Sequence, residues 1–186
     1  MKTPSPERGP LLTHLARAAI ASHFGYPTPP LPHPPWLDEH GACFVTLTRQ
    51  GHLRGCIGSL EAHRPLGQDL EMNAQAAAFR DPRFPPLLEE ELEHIRVEVS
   101  LLSPPEPLPY IDETDALAQL RPGIDGLIFE AEGHRSTFLP QVWEQLPNPR
   151  EFLGHLKQKA GLPAHYWSNE VRLSRYTVEK FKEVQP

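Results

Sequence analysis

The sequence predicts an α+β fold, a mostly antiparallel sheet with flanking helices, and three observations carry that prediction. Two β-rich pairs of segments are separated by short Gly-containing turns, which marks hairpins. Strands outnumber any strict β-α alternation, which argues against a parallel doubly wound sheet. With 186 residues, the chain is long enough to bury a core without disulfide staples.

The elements follow in order. From Pro10, residues Leu11, Leu12, Leu15, Ala18 and Ala19 recur at helical spacing, and the helix stops near Gly25. Tyr26 to Pro35 (YPTPPLPHPP) lacks the donors of a ladder or a helix interior and is expected to run as a polyproline-like connector. It reads as a strap over the surface, with an SH3-type ligand as the other reading. Cys43 to Leu60 is expected to form a hairpin around a three-residue turn, Arg49-Gln50-Gly51. That register sets Thr48 opposite His52, Leu47 opposite Leu53, Thr46 opposite Arg54, Val45 opposite Gly55, Phe44 opposite Cys56 and Cys43 opposite Ile57. Side chains alternate along a strand, so Cys43, Val45, Leu47, Leu53 and Ile57 share an apolar face, and Thr46, Thr48, His52, Arg54 and Cys56 share a polar one.

Pro65 to Phe79 reads as a helix with Leu66, Leu70, Asn73, Ala74 and Ala77 on one side, broken by Arg80-Asp81-Pro82-Arg83-Phe84. A short helical turn is expected over Pro85 to Leu92. Ile95 to Leu102 alternates Ile95, Val97, Val99 and Leu101 against Arg96, Glu98 and Ser100, a strand with one buried face. Asp112 to Leu120 suggests a short helix. Leu127 to Ala131 and Arg135 to Leu139, around Glu132-Gly133-His134, form the second hairpin, and Pro140 to Leu146 opens another helix. Pro149 to Ala160 has Asn148 as N-cap, Phe152, Leu153 and Leu156 inward, Lys157 and Lys159 in the last turn and Gly161 beyond. Val171 to Phe181 begins as a strand.

Composition excludes several function classes. The chain carries 18 Lys and Arg against 24 Asp and Glu, a net charge of −6, which disfavours binding to a phosphate backbone. Apolar runs reach about four residues, against the roughly 20 of a membrane span. The opening Met1 to Arg8 has no apolar signal core, so a cytoplasmic location is expected. Cys43 and Cys56 are the only cysteines, which is no disulfide framework. The 23 prolines, about 12% against a usual ~5%, cluster at element ends and punctuate a folded chain. No Walker, dinucleotide or zinc-ligand spacing is present, and neither a cofactor nor a metal is expected.

Chemistry concentrates in Leu53-Arg54-Gly55-Cys56-Ile57-Gly58. Glycines weaken a strand interior, so Gly55 and Gly58 mark a bend or a close approach to the backbone, and they are expected to let a ligand approach there. Arg54 and Cys56, two residues apart, are expected on one side at about 7 Å, where the cation favours the thiolate. The other reading of Cys56 is a small buried thiol beside a bulge. Cys43 falls on the apolar face and reads as packing. His52, His63 and His134 have no signature spacing to Cys56, so a Cys-His dyad is not expected. Asp81, Arg83, Glu98 and Ser100 are the remaining polar candidates, Arg83, Glu98 and Ser100 as binding residues, with Glu98 and Arg83 orienting the site and the Glu98 carboxylate pairing with Arg54 or Arg83 if its face is covered. Asp81 to Phe84 is also readable as a simple helix stop. Arg135, Gln141 and Trp143 have similar standing.

The LRGCIG segment, the alanine-rich helix with Asp81-Pro82-Arg83-Phe84, Val99 to Leu102, Gly123 to Leu127, Thr137 to Val142 and Lys159 to Leu162 come in an order that resembles the AMMECR-type domain family. Its bacterial members are called AmmeMemoRadiSam system protein A. The similarity runs from about Pro10 to Glu183, one domain with the Pro-rich connector inside it. The resemblance implies two lobes, a larger one from both chain ends and a smaller middle one, with LRGCIG near a groove between them. It also implies a Memo-type protein and a radical S-adenosylmethionine protein as companions. The family's biochemical role is not established, and two functions are expected of the chain. One is a cytoplasmic factor in which Cys56, with Arg54, Arg83 and Glu98, carries Cys-dependent small-molecule or modification chemistry. The other is a non-catalytic adaptor in which LRGCIG is structural.

Overall fold

The computed structural model describes residues 8–184, so most of the opening segment read for a signal core lies outside the described residues. In chain order the elements are α1 (Arg8–Ser22), β1 (His40–Arg49), β2 (His52–Gly58), β3 (Arg64–Pro65), α2 (Leu66–Phe79), β4 (Ile95–Leu102) and β5 (Glu106–Pro107). There follow α3 (Glu113–Gln119), β6 (Gly126–Ala131), β7 (His134–Phe138), α4 (Pro149–Lys159), β8 (Arg172–Tyr176) and β9 (Val178–Lys182). The fold is α+β. Its strands form two sheets, ordered β2-β1-β4-β9, with β3 beside β1, and β5-β8-β6-β7. The chain divides into two compact units: one runs to Leu102 and resumes at Glu179, the other is Ser103–Val178.

In the first unit, α1 and α2 cover the sheet face that carries Cys43, Val45, Leu47, Val97 and Val99, all essentially buried. The alternation of apolar and polar residues read along β4 is the physical cause: Ile95, Val97 and Val99 turn to the helices, and Arg96 and Glu98 turn away. The expected helix from Pro65 begins one residue later, with Pro65 at its N-cap in extended geometry. Between α2 and β4 a single 3-10 turn forms at Glu89–Glu91. The Pro-rich segment runs without regular structure from Tyr26 to Pro34, where φ −67 and ψ 151 are polyproline values.

The first hairpin departs from the expected register in two places. Its turn has two residues, with Gln50 and Gly51 both left-handed (φ 52 and 78), so Arg49 faces His52. A bulge between Leu47 and Thr48 then leaves Arg54 as the extra residue, after which Leu47 faces Gly55, Thr46 faces Cys56, Val45 faces Ile57 and Phe44 faces Gly58. Each event shifts the register by one. Beyond the bulge the two shifts restore the parity of the strand, so Cys56 keeps the polar face and Ile57 the apolar one. Between turn and bulge they do not, and Leu53, expected on the apolar face, lies opposite Thr48 and is 42% exposed. The second hairpin repeats the turn with Glu132 and Gly133 (φ 49 and 78), which makes His134 the first residue of β7.

The second unit packs α4 on its sheet through Phe152, Leu153 and Leu156, with the Trp143 ring stacked on Phe152 at 3.7 Å. Asn148 caps α4 by accepting the amides of Arg150 and Glu151, and Gly161 takes the left-handed position beyond its end. Lys157, in the last turn as expected, is buried; its ammonium lies 3.0 Å from Glu113 and over the ring of Trp167. Among the described residues no helix is long and apolar enough to cross a membrane.

Candidate functional site

Antiparallel pairing places chemistry in rows across the helix-free face of the first sheet. Cys56 faces Thr46, Thr46 faces Glu98, and Lys182 of β9 reaches Glu98 at 3.7 Å, so one row carries a thiol, a hydroxyl, a carboxylate and an ammonium. The next row holds Gly58, Phe44 and Ser100. The Thr46 hydroxyl lies 3.2 Å from the Cys56 sulfur. Cys56 and Glu98 are half-buried and Ser100 is buried. Two strand spacings separate the backbones of Cys56 and Glu98, about 10 Å. Of the residues singled out in the sequence, Cys56, Glu98 and Ser100 therefore share this face.

Cys56 is also gripped along the sheet edge. β2 is an edge strand, whose outward peptide groups need partners. The Cys56 amide donates to Oδ2 of Asp81 at 3.0 Å, and Nη2 of Arg83 donates to the Cys56 carbonyl at 3.3 Å. Asp81 and Arg83 bind each other through both guanidinium contacts, 3.0 and 2.7 Å, and the Arg83 amide closes on Asp81 at 3.1 Å. The guanidinium of Arg83 holds the buried Asp81 carboxyl far below the usual carboxylate range. In turn the Asp81 carboxylate raises the pKa of Arg83, with Cys56 a smaller contributor, so thiol and guanidinium are within electrostatic reach. Asp81-Pro82-Arg83-Phe84 is thus more than a helix stop: it supplies the missing neighbour of the edge strand with side chains.

Three residues expected at the site are occupied elsewhere. Arg54, the expected cation beside Cys56, is the bulge residue, and its guanidinium makes a two-point pair with Glu91 at 2.9 and 3.0 Å. Arg49 shares the same carboxylate. Hydrogen bonding from Arg54 pulls Glu91 down to about 2. Gly55 makes room for protein: a Cβ there would sit 2.1 Å from the carbonyl oxygen of Ala77, so α2 lies on bare backbone. At Gly58 a Cβ would meet the Phe44 ring at 2.1 Å. Gly126 repeats the device in the second sheet, under its pair Tyr176. The ligand approach expected over Gly55 and Gly58 gives way to packing, and Arg83 replaces Arg54 as the cation next to Cys56.

Cys43 lies on the helix-covered face. Burial, reinforced by the neighbouring Asp69 carboxylate, pushes its thiol well above the ordinary range. Asp69 accepts the Cys43 amide at 3.0 Å, the Ser59 hydroxyl at 2.6 Å and Arg64 at 2.8 Å, and Asn73 donates to the Cys43 carbonyl at 3.0 Å. This network locks the first turns of α2 to β1, to Ser59 just after β2 and to β3. Sequence reasoning placed Asn73 on the inner stripe but missed Asp69, although Asp69 falls on the same stripe as Leu66, Leu70 and Asn73. Trp143 is a core residue whose indole donates to the Asp125 carbonyl at 2.7 Å, and Arg135 lies 3.6 Å from Glu130. Among the described residues no group of three His, Cys, Asp or Glu is placed to hold a metal.

The family model of AMMECR1 matches residues 13–181. The chain belongs to the AMMECR1 family. A protein of Methanothermobacter thermautotrophicus is 41% identical over 184 residues, covering 96% of each chain. One of Methanocaldococcus jannaschii is 39% identical over 97% of this chain and 92% of its own. Among solved structures, an uncharacterized protein of Pyrococcus horikoshii is similar at a TM-score of 0.77 and 36% identity, covering 96% of this chain and 93% of that one. Each AMMECR1 relative spans nearly the whole of the present chain, both units included.

Proposed function

We propose that this AMMECR1 chain carries Cys-dependent chemistry on a small molecule or a modification target, with Cys56 as the group that meets it. The single observation that carries this reading is the cross-strand row Cys56, Thr46, Glu98, in which a half-buried thiol has a hydroxyl at 3.2 Å and a carboxylate one strand further on. The Thr46 hydroxyl shares a hydrogen bond with the sulfur, and the Arg83 guanidinium reaches the Cys56 carbonyl from the strand edge, so a hydroxyl and a cation stand beside the group that meets the substrate. Glu98, held by Lys182, and Ser100 orient the substrate. The site works in the cytoplasm, within the AmmeMemoRadiSam system, beside a Memo-type and a radical S-adenosylmethionine protein; the order of motifs from LRGCIG to Leu162 supports that placement.

The test is alkylation of the native protein with iodoacetamide at neutral pH, read by mass spectrometry. Cys56 is expected to label and Cys43 to stay silent until the chain is unfolded, and Thr46→Val is expected to slow Cys56 several-fold. A Cys56 rate unchanged by Thr46→Val removes the activated thiol. A second reading, the non-catalytic adaptor, is favoured by the fate of Arg54, Gly55 and Gly58, all three absorbed by contacts within the protein. It expects Cys56→Ser to leave capture of the Memo-type or radical protein intact.

A further inference from the structure

In the first unit α1, Tyr26 and the segment Leu88–Glu93 frame an open groove of about 840 Å³. Ala21, Leu88 and Leu92 give it an apolar floor, with Leu88 57% exposed and Tyr26 49%. Its rim is acidic. Of the glutamates in this stretch, Glu91 turns inward to Arg54 and Arg49, and Glu89 accepts the Tyr26 hydroxyl at 2.9 Å. Glu90 and Glu93 are exposed and have no ion-pair partner among the described residues. Among the described residues the one cation lining the groove is Arg17, and it is already engaged: it pairs with Glu183 and donates to the carbonyls of Leu92 and Ile95, both at 2.8 Å.

We propose that this groove docks a basic amphipathic segment of a partner protein. Apolar side chains of that segment would cover Leu88, Leu92 and Ala21, and its Lys or Arg side chains would pair with Glu90 and Glu93. An apolar floor with unneutralised carboxylates selects against acidic and purely polar occupants, because both leave the same-sign charges or the apolar surface uncompensated. A second copy of this chain is a poor occupant as well, since each copy brings a net charge of −6. The proposal is independent of Cys56.

The test uses the full chain and a fluorescent peptide of about 18 residues with leucine on one helical face and lysine on the other. Anisotropy is expected to show binding that weakens with salt, that drops about three- to thirtyfold in Glu90→Lys/Glu93→Lys, and that is lost in Leu88→Asp. A control peptide with serine for leucine is expected not to bind. Equal binding of the serine peptide, or binding indifferent to either variant, overturns the proposal. So does concentration-dependent self-association in sedimentation that Leu88→Asp abolishes, which would make a second copy the occupant. All the substituted residues are exposed, so the variants keep their fold, and matched circular dichroism verifies it.

Discussion

Replacing Gly55 by alanine separates two meanings of a strand glycine. If Gly55 serves packing, one methyl group must force α2 away from the sheet, because its Cβ would stand 2.1 Å from the Ala77 carbonyl oxygen. An ordinary contact, at 3.4 Å or beyond, needs about 1.3 Å more. That atom is helix backbone, so no rotamer relieves the clash, and Ala77 belongs to a helix tied to the strands by Asp69 and Asn73. Overpacking of this kind costs about 1–3 kcal/mol, and a backbone neighbour puts Gly55→Ala near the upper end. Reduced freedom of the unfolded chain offsets about 0.5 kcal/mol of it. For a chain of this length the net loss corresponds to a fall of about 5–10 °C in Tm. Differential scanning calorimetry of the purified protein, without ligand or partner, measures it. A variant melting within about 1 °C of the parent would mean that the space over Gly55 is open, and the packing account of LRGCIG would fail.

Two further outcomes follow from the charge pairs. The Glu91 carboxyl, lowered by Arg54 to about 2, contributes stability that is present above its unfolded value and is lost as pH falls through the folded one. Urea unfolding is therefore expected to show Glu91→Gln less stable than the parent at neutral pH, with the gap closing between about pH 5 and pH 2; a gap constant over that window contradicts the assignment. Asp81→Asn removes the charge that holds both Arg83 and the Cys56 amide. Hydrogen exchange at the Cys56 amide is expected to accelerate, with a stability loss of about 1–3 kcal/mol, and an amide as protected as before would show that another group covers the edge of β2.

Much of the fold was legible because burial writes itself into spacing. The alternation along β4 and the inward stripe of α4 name their buried residues directly, and Asn148, Pro149 and Gly161 mark where α4 starts and stops. Of the candidate site, Cys56 was legible on the polar face of its hairpin, by way of a register wrong at two points whose effects cancel in parity, and Glu98 and Ser100 on the polar face of their own strand; that the two faces are one follows only from the pairing of β1 with β4. Arg54 was misplaced because a bulge leaves no periodic trace in a seven-residue strand. For Asp81, a polar candidate, the helix stop is the favoured reading of the sequence, because its partner, the Cys56 amide, is 25 positions away.

Taken alone, the sequence determined the longer helices and strands but not the two-residue strands β3 and β5 or the 3-10 form of Pro140–Glu144, and it determined which residues of β1 and β4 face a core, since those follow from local propensity and the period of apolar residues. Tertiary structure decided what each polar or small residue meets: Arg54 meets Glu91, Gly55 meets the backbone of Ala77, Gly58 meets Phe44, and Arg83 comes to Cys56. The physical reason is that such pairings depend on a two-residue turn, one bulge and the approach of a helix, each of which moves side chains by a strand spacing or less while leaving the hydrophobic pattern unchanged.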